Sequence, residues 1–245
     1  VAKKLITATW DDAPHLSEEE KTSMFEALPP HQRDARSKGV PSLGAGAIYP
    51  VAESEIIVDP FELPPWYEVS CGMDVGWNWT AAVWIATDPN TRQAYIYDCY
   101  KAGQREPSVH AAAIRARGAW IPIAIDPASR GRGQRDGEQL YQDYFDLGLD
   151  LIKADNSREA GIYRVWQMLS SGRLKVFKTC RALLEEYRLY HRDEKGQIVK
   201  ENDHILDALR YNCMTGMDYA QPTPGDGDDW ESVGRAGAGN AVTGY

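Results

Sequence analysis

Apolar positions along the middle of this chain fall into short blocks over 67–73, 81–86 and 94–100, rich in β-branched and aromatic residues and too brief for helices. Turn chemistry such as Asp88-Pro89-Asn90 separates them, so the pattern predicts three neighbouring antiparallel strands. Beyond them the period changes. A helix is predicted over 107–117 and an apolar strand over 120–125, after which strands and helices alternate as in a mixed α/β domain. In the helix predicted over 158–171, Ile162, Val165, Trp166 and Leu169 fall at i, i+3, i+4 and i+7, so they share one face, and Gly172 ends it. A strand over 174–177, a helix over 181–190, a hairpin-like turn over 193–196 and a last helix over 202–217, capped by Asn202, complete the pattern.

The two ends read differently. The first sixty residues contain a strand-like run from Leu5 to Trp10, a helix announced by the capping signal Ser17-Glu18-Glu19-Glu20, and a Pro/Gly-rich stretch over 29–50. Residues 1–60 are therefore expected to be a connector, closed by Pro60 and Pro64-Pro65, and 61–217 the folded domain. Starting at a valine inside an apolar run, the chain reads as a piece of a longer protein. After Asp218 the composition turns to Gly, Asp and Pro, which predicts a flexible acidic tail over 218–245. No apolar run reaches the roughly 18 to 20 residues of a membrane span and no signal-peptide core follows the first residues, so a cytoplasmic location is expected. Cys71, Cys99, Cys180 and Cys213 lie far apart without a Cys-x-x-Cys pair, which fits reduced packing residues rather than a zinc ribbon or a disulfide framework.

Charge narrows the chemistry. Lys and Arg number 27 against 36 Asp and Glu, a formal net charge of −9, which disfavours a general nucleic-acid coat and restricts any DNA contact to a local patch. The same balance suits clustered carboxylates that hold metal ions. Asp74 interrupts an apolar strand just before a glycine turn, and Asp126 ends the run Ile121-Pro122-Ile123-Ala124-Ile125. A buried carboxylate stays ionised when it is paired, hydrogen-bonded or metal-bound. A turn-forming Asp74 and a helix-capping Asp126 are the plain alternatives. Asp203 and Asp207 sit four apart, on one helical face, and repel unless a cation lies between or beside them. His204 between them is either an orienting partner or a surface histidine. Acids at two strand ends and one helix, distant in sequence, are what a hard oxygen site for Mg or Mn needs.

Gly72-Met73-Asp74-Val75-Gly76, Ile125-Asp126-Pro127-Ala128 and Asp203-His204-Ile205-Leu206-Asp207-Ala208-Leu209-Arg210-Tyr211 resemble, in this order, the acidic motifs of the nuclease domain of tailed-bacteriophage terminase large subunits. The likeness covers about 66–217, and Thr9 to Leu16 and Gly44 to Pro50 resemble the family's link to its ATPase domain. The resemblance implies a ribonuclease H-like mixed sheet with antiparallel first strands flanked by helices. It also implies an endonuclease that cuts concatemeric double-stranded DNA with two divalent cations, Mg or Mn, held by Asp74, Asp126 and Asp207, with Asp203 and His204 in support. Its implied partners are double-stranded DNA, the ATPase domain, the small terminase subunit and the portal protein, in the host bacterial cytoplasm. No Gly-x-x-x-x-Gly-Lys-Ser/Thr loop is present, so ATP hydrolysis is not expected of this chain by itself.

Arg130, Arg132 and Arg135 in the glycine-arginine stretch after Asp126 are candidate DNA contacts, as against a solvated loop. Arg192 and Lys195, with His191 and Lys200, form a second basic patch with the same two readings. No base-reading motif is visible, so little sequence preference is expected. Two rival functions fit the acids: another ribonuclease H-like nuclease of resolvase or transposase type, or a non-catalytic module that docks on portal or capsid protein.

Overall fold

A computed structural model describes residues 9–13, 15–27, 37, 46–126, 134–193 and 196–225, with the backbone alone at 11, 27 and 134–139. The expectations for Arg130, Arg132 and Lys195, for the Arg135 side chain, for 1–8 and for the tail from 226 lie outside the described residues.

The three central blocks form the antiparallel strands β2 (Glu68–Asp74), β3 (Thr80–Thr87) and β4 (Ala94–Ala102), as the pattern predicts. Parallel strands extend this core on both sides. On one, β5 (Ile123–Ile125) pairs with β2, and β6 (Leu151–Lys153) with β5; on the other, β7 (Leu174–Phe177) pairs with β4, and β1 (Ile57–Val58) with β7. The seven-stranded order is β1-β7-β4-β3-β2-β5-β6. Along β3 every residue is buried, and the strand's two-residue repeat divides it between two cores. Ala81, Val83 and Ile85 pack with α5 (Arg158–Ser170), α6 (Arg181–Leu189) and α7 (His204–Met214). Ala82, Trp84 and Ala86 face the other way, into a core that holds Ala111 and Ile114 of α3 (Pro107–Arg115) and Tyr144 of α4 (Gln134–Asp146). A strand buried on both faces has to be apolar throughout, which is why its sequence does not alternate.

Four local differences from the sequence reading have physical causes. Residues 46–58, expected as connector, are built into the body: Ile48, Tyr49, Val51 and Ile56 are core, a short α2 (Glu53–Ile56) leads into β1, and Tyr187 donates its hydroxyl to the carbonyls of Tyr49 and Val51 at 3.1 and 2.8 Å. The apolar run Ile56-Ile57-Val58 supplies a sheet edge where proline and glycine suggested a link. The capping box of α1 (Glu18–Ala27) is present, Ser17 and Glu20 each bonding the other's backbone amide, but Trp10–Asp12 is a 3-10 turn closed by Asp12 on Thr9, not the end of a strand. β5 starts at Ile123 rather than 120, since Pro122 has no amide to give to a ladder. The last helix starts at His204, and Asn202, expected as its cap, has φ +55° instead. Capping is done from another helix: Glu186 of α6 accepts the amides of Ile205 at 2.8 Å and Leu206 at 3.3 Å.

Candidate metal and nuclease site

Asp74 is the last residue of β2, and Asp126 follows the last residue of β5. Because Met73 pairs with Ile125 in parallel register, and Asp126 donates its amide to the Met73 carbonyl at 3.3 Å, the two acids leave adjacent strand ends in the same direction. The third acid comes from α7, which lies directly on β2. Gly72 makes that approach attainable, since a Cβ there would stand 2.0 Å from the Ala208 carbonyl. Asn212, fully buried, rivets the contact: its side-chain amide donates to the Ser70 and Val83 carbonyls at 3.2 and 3.1 Å, and its oxygen accepts the Ser70 hydroxyl at 2.7 Å. Asp207 lies on the turn of α7 just before Ala208 and is 8% exposed.

Each acid has a polar neighbour. His204 Nδ1 stands 2.9 Å from Asp74 Oδ2, which as an ionised carboxylate accepts the ring N–H. This bond raises the His204 pKa, while burial pushes the Asp74 carboxyl up, and Asp207 and Asp126 push it the same way. Burial likewise lifts the Tyr211 hydroxyl; Arg210 opposes that shift, and Asp126, Asp207 and Asp74 add to it. Asp207 is gripped on both oxygens: Arg158 Nη2 donates to Oδ2 at 2.9 Å, and Arg210 Nη2 to Oδ1 at 3.1 Å. Arg158 also faces Asp203 Oδ2 at 3.5 Å, but that buried oxygen has no hydrogen bond among the described residues. Asp203 therefore precedes the helix as its N-cap residue, one turn before Asp207, and the cation between the two acids is a guanidinium.

Hard carboxylate oxygens suit a divalent cation in kind, and Asp74, whose carboxyl Asp207 and Asp126 both push up, is the acid such an ion would relieve. As placed, however, no three His, Cys, Asp or Glu side chains among the described residues form a ready ligand group. The acids' oxygens are engaged within the chain: His204 holds Asp74, and Arg158 with Arg210 holds Asp207.

The structure thus brings Asp74, Asp126, Asp203, His204 and Asp207 into one neighbourhood. It treats Arg192 differently from the open basic patch expected there. Arg192 pairs with Glu159 at 2.6 Å and donates to the Gly196 carbonyl at 3.1 Å, on the rim of a pocket of about 260 Å³ that Arg158, Gln197 and Lys200 also line. Arg158, Glu186 and Lys101 were not singled out as site residues from the sequence. The Lys101 ammonium meets Glu186 Oε1 at 2.6 Å and lies 4.9 Å from the Trp79 ring centroid. A sequence signal did exist for Glu186, an acid sharing a helical face with Leu183 and Tyr187, and for Arg158, a cation in the first turn of a helix whose dipole disfavours it.

Comparison with known proteins agrees with this geometry. Residues 71–215 match the family described as the terminase RNaseH-like domain. The terminase large subunit of Enterobacteria phage LP7 is 34% identical over 221 residues, covering 87% of this chain and 46% of that protein, so the chain spans about half the length of the curated relative. The nuclease domain of the P22 large terminase superposes with a TM-score of 0.69 at 34% identity, covering 74% of this chain and 96% of that one. The large terminase nuclease of the thermophilic phage G20c, solved with bound magnesium, shares the fold at a TM-score of 0.52 and 18% identity, over 70% of this chain and 98% of that one. The mixed sheet with antiparallel first strands is ribonuclease H-like, as the resemblance implied, and the family match selects the terminase reading over the resolvase and transposase ones. The chain belongs to the terminase RNaseH-like domain family, as a nuclease-type domain of a phage terminase large subunit.

Proposed function

We propose that the domain is a metal-dependent endonuclease of viral genome packaging that cuts concatemeric double-stranded DNA with little sequence preference. The observation that carries this is the meeting of Asp74 and Asp126 on adjacent parallel strand ends with Asp207 on the helix laid across them. Asp74, Asp126 and Asp207 would hold two divalent cations, Mg or Mn. Bound there, such ions supply an activated water and neutralise the charge that develops at phosphorus and the leaving oxygen.

The chain's own residues prepare that site. His204 fixes the Asp74 carboxylate through Oδ2, and the Gly72 contact with the Asn212 bonds keeps α7 at the distance from β2 that joins Asp207 to the strand ends. Arg158 fixes Asp207 from the side of α5 and faces Asp203, which would support the site from the start of α7. Arg192 and Lys200 line the pocket and would receive the DNA backbone there; Arg130, Arg132, Arg135 and Lys195 are the further contacts proposed from the sequence. In the full assembly we expect an ATPase domain, the small terminase subunit and the portal protein as partners, in the host bacterial cytoplasm; no described helix is long and apolar enough to cross a membrane.

The test is plasmid cleavage by the wild-type chain and by Asp74→Ala with Mg, Mn or EDTA. Cutting of unrelated plasmids by the wild type with metal, lost in EDTA and in the folded variant, is the expected result. Equal cutting by the variant would remove the catalytic reading, strict cleavage at one short sequence would remove the lack of preference, and inertness of the wild type with every ion would favour a docking module.

A further inference from the structure

The shortest ion pair on Asp207 comes from outside its own helix. Arg158 stands at the start of α5 and reaches both acids of α7, 2.9 Å from Asp207 Oδ2 and 3.5 Å from Asp203 Oδ2. It is also a wall of the pocket it shares with Arg192 and Lys200, so one guanidinium borders both the acidic cluster and a basic recess. Its other neighbours do not hold it equally well. The adjacent Glu159 is engaged by Arg192 at 2.6 Å, and Asp203 Oδ2 is beyond hydrogen-bond contact with it.

We propose that Arg158 is an exchangeable counter-cation: it and a divalent ion compete for Asp207 Oδ2, and ion binding releases its guanidinium to the pocket, where with Arg192 and Lys200 it takes a DNA phosphate. This rests on Asp207 being a metal ligand and adds a coupling that the ligand assignment does not contain. Two facts support it. Arg158 already holds the Asp207 oxygen that an ion would take, and it has a second, polyanion-compatible place to go. Arg210 has no such outlet, being 2% exposed, packed against Tyr211 at 4.4 Å and seated in the gap left by Gly161, whose Cβ would stand 2.3 Å from its Cγ. A guanidinium carries the charge for either partner, and its planar fork matches a carboxylate and a phosphate alike.

The experiment compares the whole chain, wild type, Arg158→Gln and Arg192→Gln, by Mn titration in a calorimeter and by equilibrium binding of a DNA duplex in EDTA and in Ca. Competition predicts that Arg158→Gln binds Mn about tenfold more tightly than wild type, while Arg192→Gln, which touches neither Asp203 nor Asp207, leaves Mn affinity unchanged. It also predicts that Ca strengthens duplex binding by the wild type and that Arg158→Gln loses this gain. Mn affinity that is unchanged or weaker in Arg158→Gln, or a Ca-dependent gain that survives in it, would overturn the proposal. If the wild type binds Mn and cuts DNA while Arg158→Gln behaves like it, only this inference fails. If the wild type neither binds Mn nor cuts, the nuclease reading fails first.

Discussion

Replacing Gly72 by alanine adds one methyl group at the point where β2 and α7 touch backbone to backbone. The new Cβ would stand 2.0 Å from the Ala208 carbonyl oxygen and 2.8 Å from both the Cβ and the amide nitrogen of Asn212. Neither neighbour is a flexible chain end, so the helix itself has to withdraw, by roughly 1.4 Å to reach the 3.4 Å of an ordinary contact. The three bonds between Asn212 and the sheet span 2.7 to 3.2 Å and do not survive such a shift. Losing three buried hydrogen bonds at about 1 kcal/mol each, on top of an overpacking cost of about 1–3 kcal/mol, gives a destabilisation of about 4–6 kcal/mol. That rivals the whole stability of a domain, about 5–15 kcal/mol. In urea, with a slope of about 2 kcal/mol per molar, the midpoint should fall by about 2–3 M or the variant should fail to fold. The same retreat carries Asp207 away from Asp74 and Asp126, so any folded remainder should lose metal binding. A midpoint within about 0.3 M of wild type would refute the claim that this glycine sets the helix-to-strand distance, since overpacking alone should exceed that.

Glu186→Gln keeps an oxygen for the α7 cap but leaves Lys101 without its carboxylate, and should cost about 1–3 kcal/mol, read as a melting temperature lower by several degrees; an unchanged melting temperature would show that the Lys101–Glu186 pair does not stabilise the fold. His110 is buried, with Nδ1 2.8 Å from the Tyr100 hydroxyl, and burial lowers its pKa. The unfolded chain therefore binds this proton first as pH falls below about 6.5, so its contribution is full above that value and is lost on going down towards the folded pKa. Urea midpoints of wild type and His110→Asn measured from pH 5 to 8 should differ in slope only below about 6.5, and parallel curves throughout would contradict this.

The central strands, α5 and β7 were legible because their patterns are local: an unbroken apolar run marks a strand covered on both faces, and a 3.6-residue repeat marks a half-covered helix. Asp74 and Asp126 were legible as acids ending apolar strands, which the parallel pairing of Met73 with Ile125 turns into neighbours. What escaped is non-local. Asn202 looks like a cap by spacing, yet Glu186 from another helix satisfies those amides, and no pattern inside 202–217 carries that information. Nor does the sequence say that the cation between Asp203 and Asp207 is supplied by Arg158, 45 positions before Asp203. The two-residue strand β1 was missed because so short an edge strand is fixed by its partner, β7, more than by its own pattern.

The pairing of Arg158, Arg192, Arg210 and Lys101 with Asp207, Glu159 and Glu186 has a consequence for how a polyanion would be met. These four cations are already engaged inside the chain, so a phosphate that reaches one of them trades places with a carboxylate rather than settling on a standing positive charge. Such swaps release few counterions, which makes association weak and only shallowly dependent on ionic strength. If the domain cuts DNA as proposed, these swaps keep it quiet in dilute solution and let it work when a tether or a neighbouring subunit keeps DNA at high local concentration.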